Sequence, residues 1–147
     1  MRRWIALGVA VLAFVAIAAV LARWLSAEGD ERAMVTDLLQ AQARGDRDAM
    51  LALLGEECVQ RPPCAVAAED NARRLRVDGE LEIVAYDSAT SHAIGPAEGP
   101  TRVVWRAPGR LTTVQCVEVE REGNLVGGQT VRLRAIGAPI GREAACP

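Results

Sequence analysis

One short segment of this sequence combines residue types that carry acid–base chemistry, namely Tyr86, Asp87 and His92. Histidine exchanges protons near neutral pH, and a neighbouring aspartate can orient its ring in a general-base pair. These residues fall at the end of a predicted strand and in a polar loop, which is the usual setting of a solvated turn. They are weak catalytic candidates, and the sequence favours a protein that is not an enzyme while leaving activity open.

The four cysteines, Cys58, Cys64, Cys116 and Cys146, all follow an apolar N-terminal run. An even count in an exported domain predicts two disulfides. A zinc site is disfavoured because no C-x-x-C pair occurs and the single histidine is distant. A reactive thiol would need a nearby base, and none is identified. Three pairings are open; proximity favours Cys58 with Cys64, which leaves Cys116 with Cys146. We expect no metal and no cofactor.

Candidate ligand-binding residues are few. Trp105 is one of the few aromatic residues beyond the N-terminal run, and such groups line ligand pockets, although core packing is its commoner role. The arginine pairs Arg106/Arg110 and Arg132/Arg134 have the charge to hold an anion. More often, such pairs balance acidic residues on a solvated strand face. Trp105, Arg106, Arg132 and Arg134 are therefore weak binding candidates.

The charge balance excludes one large class of partner. All 17 basic residues are arginine, which is typical of a GC-rich bacterial genome. Three of the 17 flank the N-terminal run, so 14 remain to face the 19 acidic residues. A mildly acidic domain of this kind has no electrostatic footprint for nucleic acid.

The N-terminal run from Trp4 to Ala22 contains 19 residues without a charge. As a helix it would extend about 28 Å, close to the thickness of the hydrocarbon core of a membrane. Arg2 and Arg3 precede it, which predicts a cytoplasmic N-terminus. The sequence thus predicts a single-pass anchor in the cell membrane over residues 1–26, with membrane contact from Trp4 to Leu25. Residues 27–147 would form an extracytoplasmic domain.

A cleaved signal peptide is the alternative for the same run. Its apolar region should be about 7–15 residues long and should end in a small-x-small site. The best cut, after Ala27, would place Leu25 at the third position back, where a small residue is needed. The sequence therefore favours an uncleaved anchor.

The elements that must position these residues follow from hydrophobic spacing. Apolar residues three and four apart predict a helix over 30–44, which Gly45 ends, and Asp46 caps a second helix that closes at Gly55. The tripeptide from Arg44 to Asp46 (RGD) is thus interpreted as a helix junction and not as an adhesion ligand. A third helix is predicted over 64–77. Period-two alternation predicts strands over 80–87, 101–107, 110–122 and 125–136, with a bulge at Gly127–Gly128.

This order predicts an α+β fold in which an N-terminal transmembrane helix is followed by helices packed on a curved, cone-like antiparallel sheet. The helix junction carries the pattern A-x-x-x-G-D-x-x-A-x-x-x-L, formed by Ala41, Gly45, Asp46, Ala49 and Leu53. The pattern resembles the start of the nuclear transport factor 2-like (cystatin-like cone) superfamily, and especially its small membrane-anchored bacterial members.

The resemblance covers residues 30 to about 136 in outline and implies a conical fold with a pocket between helices and sheet. One departure lies in the last hairpin, where Leu125 stands in the place of a tryptophan that members often carry. No residue here matches the catalytic motifs of the enzymes in that superfamily, so none of their roles is carried over.

These observations predict a membrane-anchored, extracytoplasmic binding or assembly module of a bacterial cell envelope. Its partner would be another envelope protein or a second copy of itself. The alternatives are a small-ligand-binding protein that uses the cone pocket and, less favoured, an isomerase- or cyclase-type enzyme.

Overall fold

A computed structural model describes residues 2–91, 93, 95–124 and 127–147; in the first helix it describes side chains at residues 4, 7–22, 26 and from 28 onward. Among these residues, three helices precede four strands: α1 (Arg2–Arg44), α2 (Arg47–Gln60), α3 (Pro62–Arg74), β1 (Glu82–Asp87), β2 (Ala97–Arg106), β3 (Thr113–Asn124) and β4 (Gly128–Ile136). The strands form one antiparallel sheet in the order β1-β2-β3-β4. The architecture is α+β, with the helices packed on the sheet.

The core lies between the helices and the inner face of this sheet. Alternate residues of each strand point inward because successive side chains of a strand face opposite sides. From α1, residues spaced three and four apart meet them, as one face of a helix does. The main buried contributors are Val35, Leu38, Leu39, Met50, Leu54, Val103, Trp105, Val117, Val119, Leu133 and Ile136.

The predicted transmembrane helix is wrong. In the part of the chain that the structure describes, no helix combines the length and the apolar character needed to cross a membrane.

Helix α1 continues without a break through the predicted domain boundary at residues 26 and 27. The described side chains before Glu31 are mostly exposed, whereas from Glu31 onward the helix contributes buried side chains to the core. The two parts are one regular element of 43 residues. The apolar segment is therefore joined to the folded domain by helix and not by a linker.

Strand β1 departs from simple alternation at Val84. Its register with β2 shifts between Ile83 and Ala85, which is the signature of a bulge. A bulge places two residues opposite one, so Ile83 and Tyr86 pack on the core although they are three positions apart. Regular alternation, which the strand predicted over 80–87 implies, would instead place Ile83 and Ala85 on one face and Tyr86 on the other.

Strand β2 begins earlier than predicted, at Ala97, and includes Gly99 and Pro100. Glycine and proline disfavour strands, so the predicted strand starts only after them, at Thr101. Gly99 fits here because a Cβ at this position would meet the Cβ of Ala89 at 2.8 Å. The predicted bulge at Gly127–Gly128 is also wrong: β4 starts at Gly128, and the shift between β3 and β4 lies at Glu118/Val119.

The junction between α1 and α2 has the geometry that its sequence predicts. Gly45 has φ of +74°, the left-handed region that ends a helix. The Asp46 carboxylate accepts a hydrogen bond from the Ala49 backbone N–H at 3.0 Å. Helix α2 continues past its predicted end at Gly55, which remains as a kink with φ of +78°.

Replacing Asp46 with alanine is expected to lower the free energy of unfolding by about 0.5–2 kcal/mol, because the first turn of α2 loses its side-chain acceptor. Urea denaturation measures this change. Asp48→Ala is the matched control, since Asp48 also lies in the first turn of α2 but has a 91% exposed side chain and no capping bond. Equal losses in the two variants would contradict the capping role.

A C-terminal strap (residues 137–147) follows β4. The Gly137 N–H donates to the carbonyl of Cys116, and the Ile140 N–H donates to the carbonyl of Val114, both at 2.8 Å. Cys146 then forms a disulfide with Cys116. The strap thus extends the sheet past the end of β4 and covers the first part of β3.

Candidate functional site

A carboxylate and a guanidinium form an ion pair inside the domain. Glu31 projects from α1 and Arg121 from β3, and both side chains are 0% exposed. The Glu31 Oε2 accepts hydrogen bonds from Arg121 Nε at 2.8 Å and from Nη2 at 2.6 Å. Charge-assisted bonds of this length are among the stronger ones in proteins.

Three hydroxyl groups complete the surroundings of this carboxylate. Tyr86 on β1 and Thr101 on β2 donate to Glu31 Oε1 at 2.7 and 2.9 Å. Thr90, from the segment after β1, donates to Oε2 at 2.7 Å. We call Glu31, Tyr86, Thr90, Thr101 and Arg121 the Glu31 cluster; it connects α1 to three strands and one loop.

The local electrostatics keep Glu31 ionised. Burial by itself would raise its pKa, but hydrogen bonds from Thr90, Tyr86 and Arg121 outweigh that effect and lower the pKa below its ordinary value. Burial, the hydrogen bond to Glu31 and the negative charge of that carboxylate raise the pKa of Tyr86. Both groups are therefore fixed near neutral pH, Glu31 as an acceptor and Tyr86 as a donor.

This arrangement does not fit acid–base catalysis. A general base needs a free lone pair within reach of a substrate proton. Both Glu31 oxygens are occupied, and the carboxylate is fully buried. Within the described residues, Arg121 Nη1 is a buried donor without a partner, so one hydrogen-bonding position of the cluster is unused. The cluster is suited to holding elements together.

The proposed catalytic candidates separate in the structure. Tyr86 points inward to the Glu31 cluster, whereas the adjacent Asp87 is exposed on the other side of β1. His92 lies outside the described residues. Tyr86 and Asp87 therefore do not form a shared site.

The proposed binding residues also occupy different places. Trp105 lies in the core, and its Nε1–H donates to Gln115 Oε1 at 2.8 Å. Arg106 pairs with Glu82 at 2.8 Å, and Arg132 pairs with Glu122 at 3.3 Å. Arg134 bridges Glu57 and Glu120. Each of these arginines has an acidic partner. Arg106 lies on β2, apart from Arg132 and Arg134 on β4, so the three do not meet at one anion site.

A second polar network crosses the core beside Trp105. Gln42 and Gln115 exchange two hydrogen bonds, at 2.9 and 3.1 Å. Gln115 Nε2 and Asn71 Nδ2 also donate to the carbonyl of Gly137, at 3.1 and 3.0 Å. Because buried polar groups must be paired, this network fixes the relative position of α1, α3 and the start of the strap.

The space between helices and sheet is filled by side chains. The largest fully buried ones include Trp105, Arg121, Leu38, Leu39 and Met50. One cleft of ≈ 290 Å³ opens between these layers, with Met34 of α1, Leu54 of α2 and Leu133 of β4 among its lining residues.

Two disulfides are present, as the even number of cysteines predicted. Cys58 bonds to Cys64, which joins α2 to α3, and Cys116 bonds to Cys146. This is the pairing that proximity favoured. Disulfides are typical of proteins in an oxidising compartment.

The sequence contains signals for the two residues that were missed. Arg121 continues the inward alternation of Val117 and Val119, and Glu31 lies four positions before Val35, on the apolar face of α1. A charged residue in such a register needs a partner when buried.

Comparison with known proteins gives no guide here, because no family model, curated protein or solved structure matches the chain significantly.

Proposed function

We propose that this protein is a non-catalytic binding and assembly module outside the cytoplasm, and that the exposed apolar part of α1 is its binding element. The observation that carries the proposal is the exposure of that segment. Large apolar side chains over residues 7–21 are 52–73% exposed, namely those of Leu7, Val9, Val11, Leu12, Phe14, Val15, Ile17 and Leu21. Contiguous apolar surface of this extent marks an interaction site.

The distribution of these side chains defines the kind of partner. At 3.6 residues per turn they lie around the whole circumference of the helix and not along one stripe. A helix that is apolar all round is covered on every side in its working state. The partner we propose is therefore an envelope protein that encloses the segment between several helices or within an apolar groove.

Two further observations support a module without catalysis. The Glu31 carboxylate, which is fully buried, accepts hydrogen bonds from five donor atoms. The two disulfides support the extracytoplasmic location. A ligand-binding role inside the cone would need space where Trp105 and Leu38 lie.

We also propose the relation to the nuclear transport factor 2-like superfamily, on the junction residues. Ala41 is fully buried, Gly45 reverses the chain and Asp46 caps α2. Ala49 and Leu53 pack on the core from α2. Each position of the pattern therefore has a structural reason.

Photo-crosslinking in the producing cell tests the proposed function. Phe14, 73% exposed, is replaced by a photoreactive phenylalanine analogue, and the same analogue replaces Glu69 on the exposed side of α3 as the control. We expect a discrete protein adduct from position 14 and none from position 69. An adduct at twice the 15.7 kDa mass of the chain would identify a second copy as the partner. Identical patterns from both positions, or no protein adduct, would contradict the proposal.

A further inference from the structure

The two disulfides differ in their accessibility. Cys58 is 0% exposed and Cys64 is 7% exposed, where α2 and α3 meet. Cys146 is only partly buried, and the strap residues 141–145 just before it are exposed. Thiol–disulfide exchange requires a thiolate to reach one of the two sulfur atoms. The Cys116–Cys146 bond therefore offers the more accessible point of attack.

We propose that Cys116–Cys146 is a redox modification site, which a dithiol reductant opens while Cys58–Cys64 remains closed. A thiolate of the reductant attacks the Cys146 sulfur, the Cys116–Cys146 bond breaks, and the Cys116 thiolate takes up a proton. The second thiol of the reductant then attacks the mixed disulfide, releases Cys146 as a thiol and leaves the reductant as a disulfide. Two electrons and two protons pass to this protein.

Opening the bond frees the outer part of the strap. Gly137 stays fixed, because Gln115 and Asn71 donate to its carbonyl. Beyond Ile140, the hydrogen bonds from the sheet to the strap come from one partly buried side chain in the described structure: Arg102 donates to the carbonyls of Ala144 and Arg142. Exposed bonds of this kind add little net stability, so the disulfide is what holds the strap down.

Release uncovers a specific surface. On the outer face of the sheet, Ala85 pairs with Val104 and Val104 pairs with Val114, which gives an apolar row across three strands. Ile140 of the strap pairs with Val114, whose exposed fraction is only 2%. Ala85 is already exposed and Val104 is partly buried, so reduction uncovers Val114 and extends an apolar surface that includes Val84, which is 52% exposed.

Titration of the full chain with dithiothreitol tests selectivity. Thiols are trapped by alkylation at each concentration and assigned by peptide mass mapping. We expect Cys116 and Cys146 to be alkylated at a reductant concentration at least about tenfold lower than Cys58 and Cys64. Simultaneous opening of both disulfides, or earlier opening of Cys58–Cys64, would overturn the proposal.

Hydrogen exchange tests the structural consequence. In the oxidised protein, the Ile140 and Ala144 N–H groups donate to the carbonyls of Val114 and Gly141. After selective reduction we expect these amides to exchange at least about tenfold faster, while the amide of Val117 keeps its protection. The double variant C116S/C146S should show the same pattern without reductant, and C58S/C64S should not. Unchanged strap exchange in reduced wild-type protein would overturn the proposal whether or not either variant folds.

Discussion

Replacing Arg121 with methionine is expected to lower the free energy of unfolding by about 3–5 kcal/mol, because it leaves the Glu31 carboxylate buried without its counter-charge. Both side chains are fully buried, so water cannot replace the missing partner. Chemical denaturation followed by circular dichroism measures the loss. Arg106→Met is the matched control, since the Arg106–Glu82 pair is more than half exposed and contributes about 0–1 kcal/mol.

A double substitution separates the charge effect from general disruption. Adding Glu31→Gln to Arg121→Met removes the uncompensated charge and keeps an acceptor oxygen for Tyr86 and Thr101. We expect the double variant to be more stable than Arg121→Met alone. If the losses in free energy of unfolding measured for Glu31→Gln and Arg121→Met simply add in the double variant, Glu31 and Arg121 do not interact.

The pH dependence of stability gives a further measurement on the same residues. The folded pKa of Glu31 lies below its ordinary value of 4.5, so the unfolded chain binds more protons in acid. The contribution of the Glu31 carboxylate to the free energy of unfolding is fully present above the ordinary pKa of 4.5. It is lost as the pH falls through the folded pKa. Between about pH 5 and pH 3, Glu31→Gln should therefore lose less of its own stability than wild-type protein does.

Replacing Trp105 with alanine is the second change with a large expected effect, a loss of about 3–5 kcal/mol. The side chain is 1% exposed and is the largest of the fully buried ones, so its removal leaves a cavity. Trp105→Phe keeps most of the ring volume but loses the Nε1–H donor to Gln115. We expect it to cost about 1–3 kcal/mol, because Gln115 Oε1 retains its bond from Gln42.

Urea denaturation followed by circular dichroism measures both variants without relying on tryptophan fluorescence. Leu111→Ala is the control, since Leu111 is 82% exposed and its truncation should change stability by less than about 0.5 kcal/mol. A similar small effect from Trp105→Ala would mean that this side chain does not fill the core.

Local signals predicted local structure well. Gly45 and Asp46 specify the helix junction through their own backbone conformation and side-chain bond, and both act within three residues. The start of β2 and the bulge at Val84 depend on packing instead. Pro100 lies in β2 opposite Glu118 of β3, and a single-sequence pattern contains no information about that partner.

The Glu31 cluster could not be assembled from sequence for the same reason. Glu31 and Arg121 are 90 positions apart, and only the packing of α1 on β3 brings them together. The hydrophobic spacing in the sequence does indicate that both residues face the core, since each occupies an inward position of its element. Which inward charges pair with each other is decided by the tertiary arrangement.

The continuity of helix α1 also determines the distance between the folded domain and a partner that binds the apolar segment. From Glu31, where the helix is anchored in the core, to Leu7 there are 24 residues of continuous helix, or about 36 Å at 1.5 Å per residue. Because no hinge interrupts this length, the helix acts as a stiff spacer. A partner bound to the N-terminal end of α1 would set both the distance to the sheet and the orientation of the sheet. Rotation of that end about the helix axis would rotate the domain with it.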